Sequence, residues 1–228
     1  MCGRFTLILE PNELQADLQL GDIPSDLASR YNIAPTQPVA VVADATTRNV
    51  ELFRWGLIPS WAKDISIGSR LINARSETLE EKPSFKTAFT RRRCLILADG
   101  FYEWHRKMGR GEKSQPYFFR LENGEPFAFA GLWDTWHSPE GESINSCTLI
   151  TCSANDLVGR IHDRMPVILD SASIWDWMDP TGHLPALKSL LRAYPAEKMV
   201  CWPVSPQINN ASIEGADLTK PSGQMGFE

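Results

Sequence analysis

The sequence of 228 residues has no apolar run of the ~18 residues that a membrane-spanning helix needs. It contains no G-x-x-x-x-G-K-[ST], G-x-G-x-x-G or G-x-S-x-G pattern, which removes the phosphate-cradling loop, the dinucleotide fingerprint and the nucleophile elbow. Its five cysteines form no C-x-x-C pair, and His105, His137 and His183 have no ligand-like spacing to one another or to a cysteine pair. No metal site and no cofactor are therefore expected. Arg4 interrupts the start and no apolar stretch follows it, so no secretory signal is read there; with an odd cysteine count this points to reduced thiols and a cytoplasmic protein. Myristoylation wants glycine at position 2, but the glycine is Gly3. Repeats and linker-like stretches are also missing, so a single domain is expected over 1–218, followed by a disordered tail at 219–228. Basic excess is lacking too: the net charge is −5, which argues against general adhesion to nucleic acid without forbidding a local basic site. The first half of the chain holds most of the basic residues, so an anion-binding face would be built there.

Short β-rich segments bounded by Gly, Pro or polar turns dominate what is present: GRFTLIL (3–9), PVAVVAD (38–44), VELFRW (50–55), RCLILADG (93–100), FYEW (101–104), QPYFFRL (115–121), PFAFAGLWD (126–134), SCTLITC (146–152) and MVCWPVS (199–205). Helices are expected at 11–20, 84–92, 154–161, 171–178 and 184–194, with Ser84, Ser171 and Asn155 or Ser153 as caps. Strands and helices do not alternate, which argues against a doubly wound parallel sheet. The expected class is α+β: a mainly antiparallel curved sheet or open barrel with peripheral helices.

Four polar stretches fall at strand ends or loops, where function concentrates. RYNIAPTQ (30–37) reads as a rigid loop entering a strand, and ordinary turn chemistry explains it equally well. In LINARSET (71–78), Asn73 and Arg75 share one face of an extended segment and suit an anion or carbonyl; they also suit a solvated strand end. In ADGFYEWHR (98–106), Glu103 lies between Tyr102 and Trp104, and such surroundings raise a carboxyl pKa toward proton-transfer range unless the side chain points to solvent. GRIHDRMPVIL (159–169) puts His162, Asp163 and Arg164 between a helix and an apolar strand; His162 could act as acid or base, or be a structural histidine.

The start, MCGRF, adds a thiol at Cys2. Removal of methionine before a small second residue would leave Cys2 with a free α-amine, a 1,2-aminothiol. With an amine pKa of about 7.7–8.0 and a thiol near 8.5, both groups can attack one aldehyde and close a thiazolidine ring. A chance small residue or a palmitoylation site is the plain alternative.

Together MCGRF, RYNIAPTQ, RWGLIPSWA (54–62), LINARSET, ADGFYEW and IHDRMPVIL, in this order, resemble the SRAP family, the SOS-response-associated peptidases that process abasic sites. The likeness runs from residue 2 to about 218, where PVSPQINNASIEGADL resembles the family's closing segment. It implies that Cys2 captures the ring-opened aldehyde of an abasic site in single-stranded DNA, first as a Schiff base and then as a thiazolidine. The same resemblance implies Glu103 as proton donor and acceptor, His162 at the sugar hydroxyl and Asn73 orienting the amine or sugar. Arg4, Arg75 and Arg164 are implied at phosphates, with Asn32 and Trp61 near a kinked strand. Implied partners are abasic single-stranded DNA and replication-fork proteins, with a monomeric, nucleoid-associated protein acting in the DNA damage response. Two alternatives stay open: a peptidase or autopeptidase with Cys2 as N-terminal nucleophile, and a lyase that nicks abasic DNA by β-elimination.

Overall fold

The computed structural model describes residues 2–105 and 114–222. Numbered along the chain, the strands are β1 Arg4–Leu7, β2 Arg30–Ile33, β3 Pro38–Val42, β4 Val50–Trp55, β5 Asn73–Arg75, β6 Arg93–Ala98, β7 Gly100–His105, β8 Gln115–Leu121, β9 Phe127–His137, β10 Ser143–Ser153, β11 Arg164–Pro166, β12 Ile168–Leu169 and β13 Met199–Pro203. The helices are α1 Pro11–Leu18, α2 Pro83–Arg91, α3 Ile174–Met178 and α4 Leu184–Leu190.

Five strands close on themselves in the order β10-β4-β3-β6-β9, with β9 returning to β10. Every pairing in this ring is antiparallel except β10 with β4. The expected α+β class with a mainly antiparallel barrel is what the fold shows, although the ring is closed and not open. Closure removes the free edges that an open sheet would leave. The second sheet has the order β13-β8-β7-β1-β2 and is antiparallel throughout.

Aromatic side chains join the two layers. Phe5 of β1 meets Trp55 edge-on at 5.1 Å and Phe129 at 5.5 Å, and Phe101, stacked on Phe119 at 5.0 Å within the second sheet, reaches Phe129 edge-on at 6.3 Å. All five rings are buried in one core. Such rings bury large apolar area and prefer these tilted or offset geometries, so they fix how the second sheet sits on the barrel. Asp99, buried at the β6–β7 turn, accepts from Thr6 Oγ1 at 2.5 Å, from Leu9 N at 2.9 Å and from Ile8 N, which locks β1 to that corner. The strand carrying Cys2 at its head is thus held both by packing and by a buried carboxylate.

Two local expectations are corrected. The stretch 154–161 forms only a 3-10 turn at Val158–Arg160, although Asn155 does cap it as expected: its Oδ1 accepts from Val158 N, and its Nδ2 donates to Tyr194 O. Ser84 lies inside α2, where Pro83 takes the opening position that suits its missing N–H. At the other end Trp202 Nε1 donates to Thr219 O and Ser222 N to Pro203 O; residues 223–228, the remainder of the expected tail, lie outside the described residues. Among the described residues no helix is long and apolar enough to cross a membrane.

Candidate functional site

Strand β1 pairs with β7 so that Arg4 faces Tyr102 and Phe5 faces Phe101. Continuing that register by one residue brings Gly3 opposite Glu103, so the head of the chain lies along the far end of β7. Cys2 is fully buried there and its carbonyl accepts from Asn73 Nδ2 at 2.8 Å. Asn73 is delivered by β5, which runs parallel to β10 with Asn73 opposite Leu149 and Arg75 opposite Thr151. Asn73 Oδ1 is buried and has no hydrogen-bond partner among the described residues.

Glu103 is 2 % exposed. Burial pushes its carboxyl up to about 7 against the lowering effect of the chain's terminal amine, and the Asp163 carboxylate adds a smaller upward push. The Cys2 thiol is pushed well above its ordinary value, by burial first and by the Glu103 charge second. The pair therefore shares one apolar enclosure near the junction of both sheets. A carboxyl poised near neutrality can give a proton and take one back; the thiol stays protonated until something removes its proton.

The 162–164 turn brings the Asp163 carboxylate close enough to act on Glu103. His162 Nδ1 accepts from Arg164 N at 3.0 Å and lies 3.0 Å from Asp163 Oδ1. As acceptor of that amide, Nδ1 leaves Nε2 to carry the proton of the neutral ring. The Arg164 guanidinium is engaged by Glu77 through two bonds of 2.6 and 2.9 Å, and by Thr151 O at 2.7 Å. That pairing holds the Glu77 carboxyl below its usual range.

On the opposite side Arg4 Nε donates to Asn32 Oδ1 at 3.0 Å and Nη1 to Gly3 O at 3.0 Å. Asn32 is completely buried, and its Nδ2 donates to Asn210 O and Ile213 O. Both ends of that amide are thus occupied by protein. Arg75 is exposed on β5. Trp61 is 58 % exposed on a separate loop that begins after β4. That loop is pinned three times: Ile58 N to Ser146 Oγ, Ser60 N to Asp134 Oδ2, and Trp136 Nε1 to Ala62 O. Its two ends close where Gly56 (φ +124) and Gly68 pass so tightly that a Cβ on either would lie 2.6–2.7 Å from the other's carbonyl oxygen. A recess of about 320 Å³ beside Trp61 is lined in part by Lys63, Ile67 and Arg70.

Cys2, Asn73, Glu103 and the His162 turn are therefore neighbours, with Arg4 and Arg164 on the two sides. Of the other groups in contact, Asp163 and Glu77 stand inside two of the six motifs, IHDRMPVIL and LINARSET, whereas Thr151 and Glu214 stand outside them. Among the described residues no three of the His, Cys, Asp and Glu side chains are grouped to hold a metal ion.

Comparison with known proteins adds to this geometry. The sequence model of the family described as SOS response associated peptidase (SRAP) matches residues 1–211. The chain is 40 % identical over 222 residues to the abasic site processing protein YoqW of Bacillus subtilis, covering 96 % of this chain and 98 % of that one. It is 33 % identical over 238 residues to the abasic site processing protein HMCES of Rattus norvegicus, covering 87 % of this chain and 67 % of the other. A crystal structure of a protein from Bacteroides thetaiotaomicron shares the fold at a TM-score of 0.86 with 23 % identity, covering 97 % of this chain and all of that one. One from Bordetella bronchiseptica gives 0.75 with 27 % identity over 90 % of this chain.

Proposed function

The chain belongs to the SOS response associated peptidase (SRAP) family, and on that premise we propose that it processes abasic sites by capturing their ring-opened aldehyde in single-stranded DNA through Cys2. The observation that carries this reading is the enclosure in which Cys2, with its carbonyl held by Asn73, shares low-dielectric surroundings with a glutamate poised near pH 7.

Once Met1 is removed, the Cys2 amine attacks the C1′ aldehyde and gives a carbinolamine. Glu103, protonated, delivers its proton to the new hydroxyl, which leaves as water, and the nitrogen lone pair forms the iminium. The Glu103 carboxylate then takes the thiol proton, sulfur bonds to C1′, and the C=N electron pair returns to nitrogen. One water is released, and Glu103 ends protonated as it began. A pKa near the working pH serves both transfers. The orphaned Asn73 Oδ1 suits a donor on the amine or on the sugar, and His162 suits the sugar hydroxyl. Arg4, Arg75 and Arg164 suit the flanking phosphates, while Asn32 acts by holding Arg4. Trp61, rigidly mounted and open to solvent, suits a stacked base.

The test is incubation of chain confirmed to start at Cys2 with an oligonucleotide carrying one abasic site, followed by a denaturing gel. A retarded, heat-stable band that undamaged DNA does not give is expected. Its absence would overturn the reading.

A further inference from the structure

The pairing of β1 with β2 is irregular: Phe5 faces Ile33 and Leu7 faces Arg30, so Tyr31 and Asn32 together oppose the single residue Thr6. This is a β-bulge on the outermost strand of the second sheet, and a bulge re-aims the side chains it carries. It also turns two successive amides outward, where an edge strand has no ladder partner. Glu214, in the closing segment of the chain, fills that gap. Its Oε2 accepts from Tyr31 N at 2.8 Å and from Asn32 N at 3.1 Å, while Oε1 accepts from Arg30 Nε at 2.7 Å.

The bulge aims Asn32 inward, where the amide donates to Asn210 O and Ile213 O and accepts from Arg4 Nε. The carboxylate, the bulge, the buried amide and Arg4 thus form one continuous chain of hydrogen bonds. The Arg30–Glu214 ion pair itself is about one-third exposed on both partners, where such pairs contribute little. The two amide bonds are what the bulge conformation requires.

We propose that Glu214 is a positioning residue for Arg4, acting through the β2 bulge and Asn32, so that the segment 210–214 is part of the nucleic-acid site without touching nucleic acid. This rests on the reading of Arg4 as a phosphate ligand. Both amides bond one oxygen, Oε2, so glutamine can keep the cap with its amide oxygen while its NH2 gives up the half-exposed Arg30 bond, whereas alanine loses both.

The experiment compares wild type, Glu214→Ala, Glu214→Gln, Arg4→Ala and the Arg4→Ala/Glu214→Ala double variant. The readout is affinity for an undamaged single-stranded oligonucleotide across a salt series. Glu214→Ala is expected to weaken binding about tenfold and to lower the salt slope by about one phosphate contact, as Arg4→Ala does. Glu214→Gln should stay near wild type, and the double variant should bind no worse than Arg4→Ala alone. Losses that add in the double variant, or a Glu214→Ala protein that binds like wild type, would overturn the proposal. Exchange of the Arg4 Nε–H, followed by NMR without DNA, reads the positioning directly: faster exchange in Glu214→Ala and not in Glu214→Gln supports it, and unchanged exchange refutes it. If wild type binds no DNA, the functional reading fails, and the NMR result still decides whether Glu214 orders Arg4.

Discussion

The two sides of the site hold their arginines in opposite ways. On the side built from the second sheet, Arg4 is held by the neutral amide of Asn32 and by a backbone carbonyl, so its charge is oriented and not neutralised. On the barrel side, Arg164 is clasped by Glu77 through two charge-assisted bonds, and its positive charge is answered before any ligand arrives. Orientation by a neutral partner leaves a cation ready for phosphate. If Arg164 takes a phosphate as proposed, the phosphate has to displace Glu77, whose side chain is half exposed and so has water to move into. Neither arginine sets the charge of Glu103, which burial governs first.

The largest effect should come from removing what both sides serve. Glu103→Gln should slow adduct formation at pH 7 by about a hundredfold or more, since positioned acid–base catalysis contributes roughly 10²–10⁴; single-turnover gels check it. The same variant should change stability in the other direction. In the folded chain Glu103 stays protonated to about pH 7, whereas in the unfolded chain it ionises near 4.5. Between those values the folded state binds more protons, so stability falls as pH rises and levels off above 7, a loss of about 3 kcal/mol at most. Urea unfolding of Glu103→Gln should show this slope flattened and a gain over wild type at pH 8.

Arg4→Ala should weaken single-strand binding about tenfold and reduce its salt dependence by about one contact. Glu77→Gln should do the reverse and by less, raising affinity a few-fold while steepening the salt dependence, because Arg164 then has no carboxylate to exchange for phosphate. A salt series on both variants sharpens the comparison; equal and same-signed effects would dissolve it.

Much of the fold was legible. The runs at 38–44, 50–55, 93–100 and 126–134 are strands of the barrel because their β-branched and aromatic residues are buried there. What sequence could not give was closure, since the β9–β10 pairing that completes the ring depends on a hairpin's register and on the parallel meeting of β10 with β4. RYNI reads as loop but forms β2, because its amides are satisfied by Glu214, a partner about 180 residues away that no local pattern announces. ANDLVGRI reads as helix with Asn155 as its cap; the cap is there, but the helix stops after the single turn Val158–Arg160. Within the site, Glu103 among aromatics was legible as a carboxyl with a raised pKa. The grip of Asn73 on Cys2, and of Asn32 on Arg4, was not, for both join strands 71 and 28 residues apart.

The most direct measurement is intact mass spectrometry of protein beginning at Cys2 after reaction with an abasic single-stranded oligonucleotide, with and without borohydride, beside Cys2→Ser. The account predicts that wild type gains the oligonucleotide mass less one water and keeps it through heating without reductant, whereas Cys2→Ser shows a stable adduct only after borohydride traps its imine. A heat-stable adduct in Cys2→Ser without reductant, or none in wild type, would contradict ring closure by the thiol of Cys2.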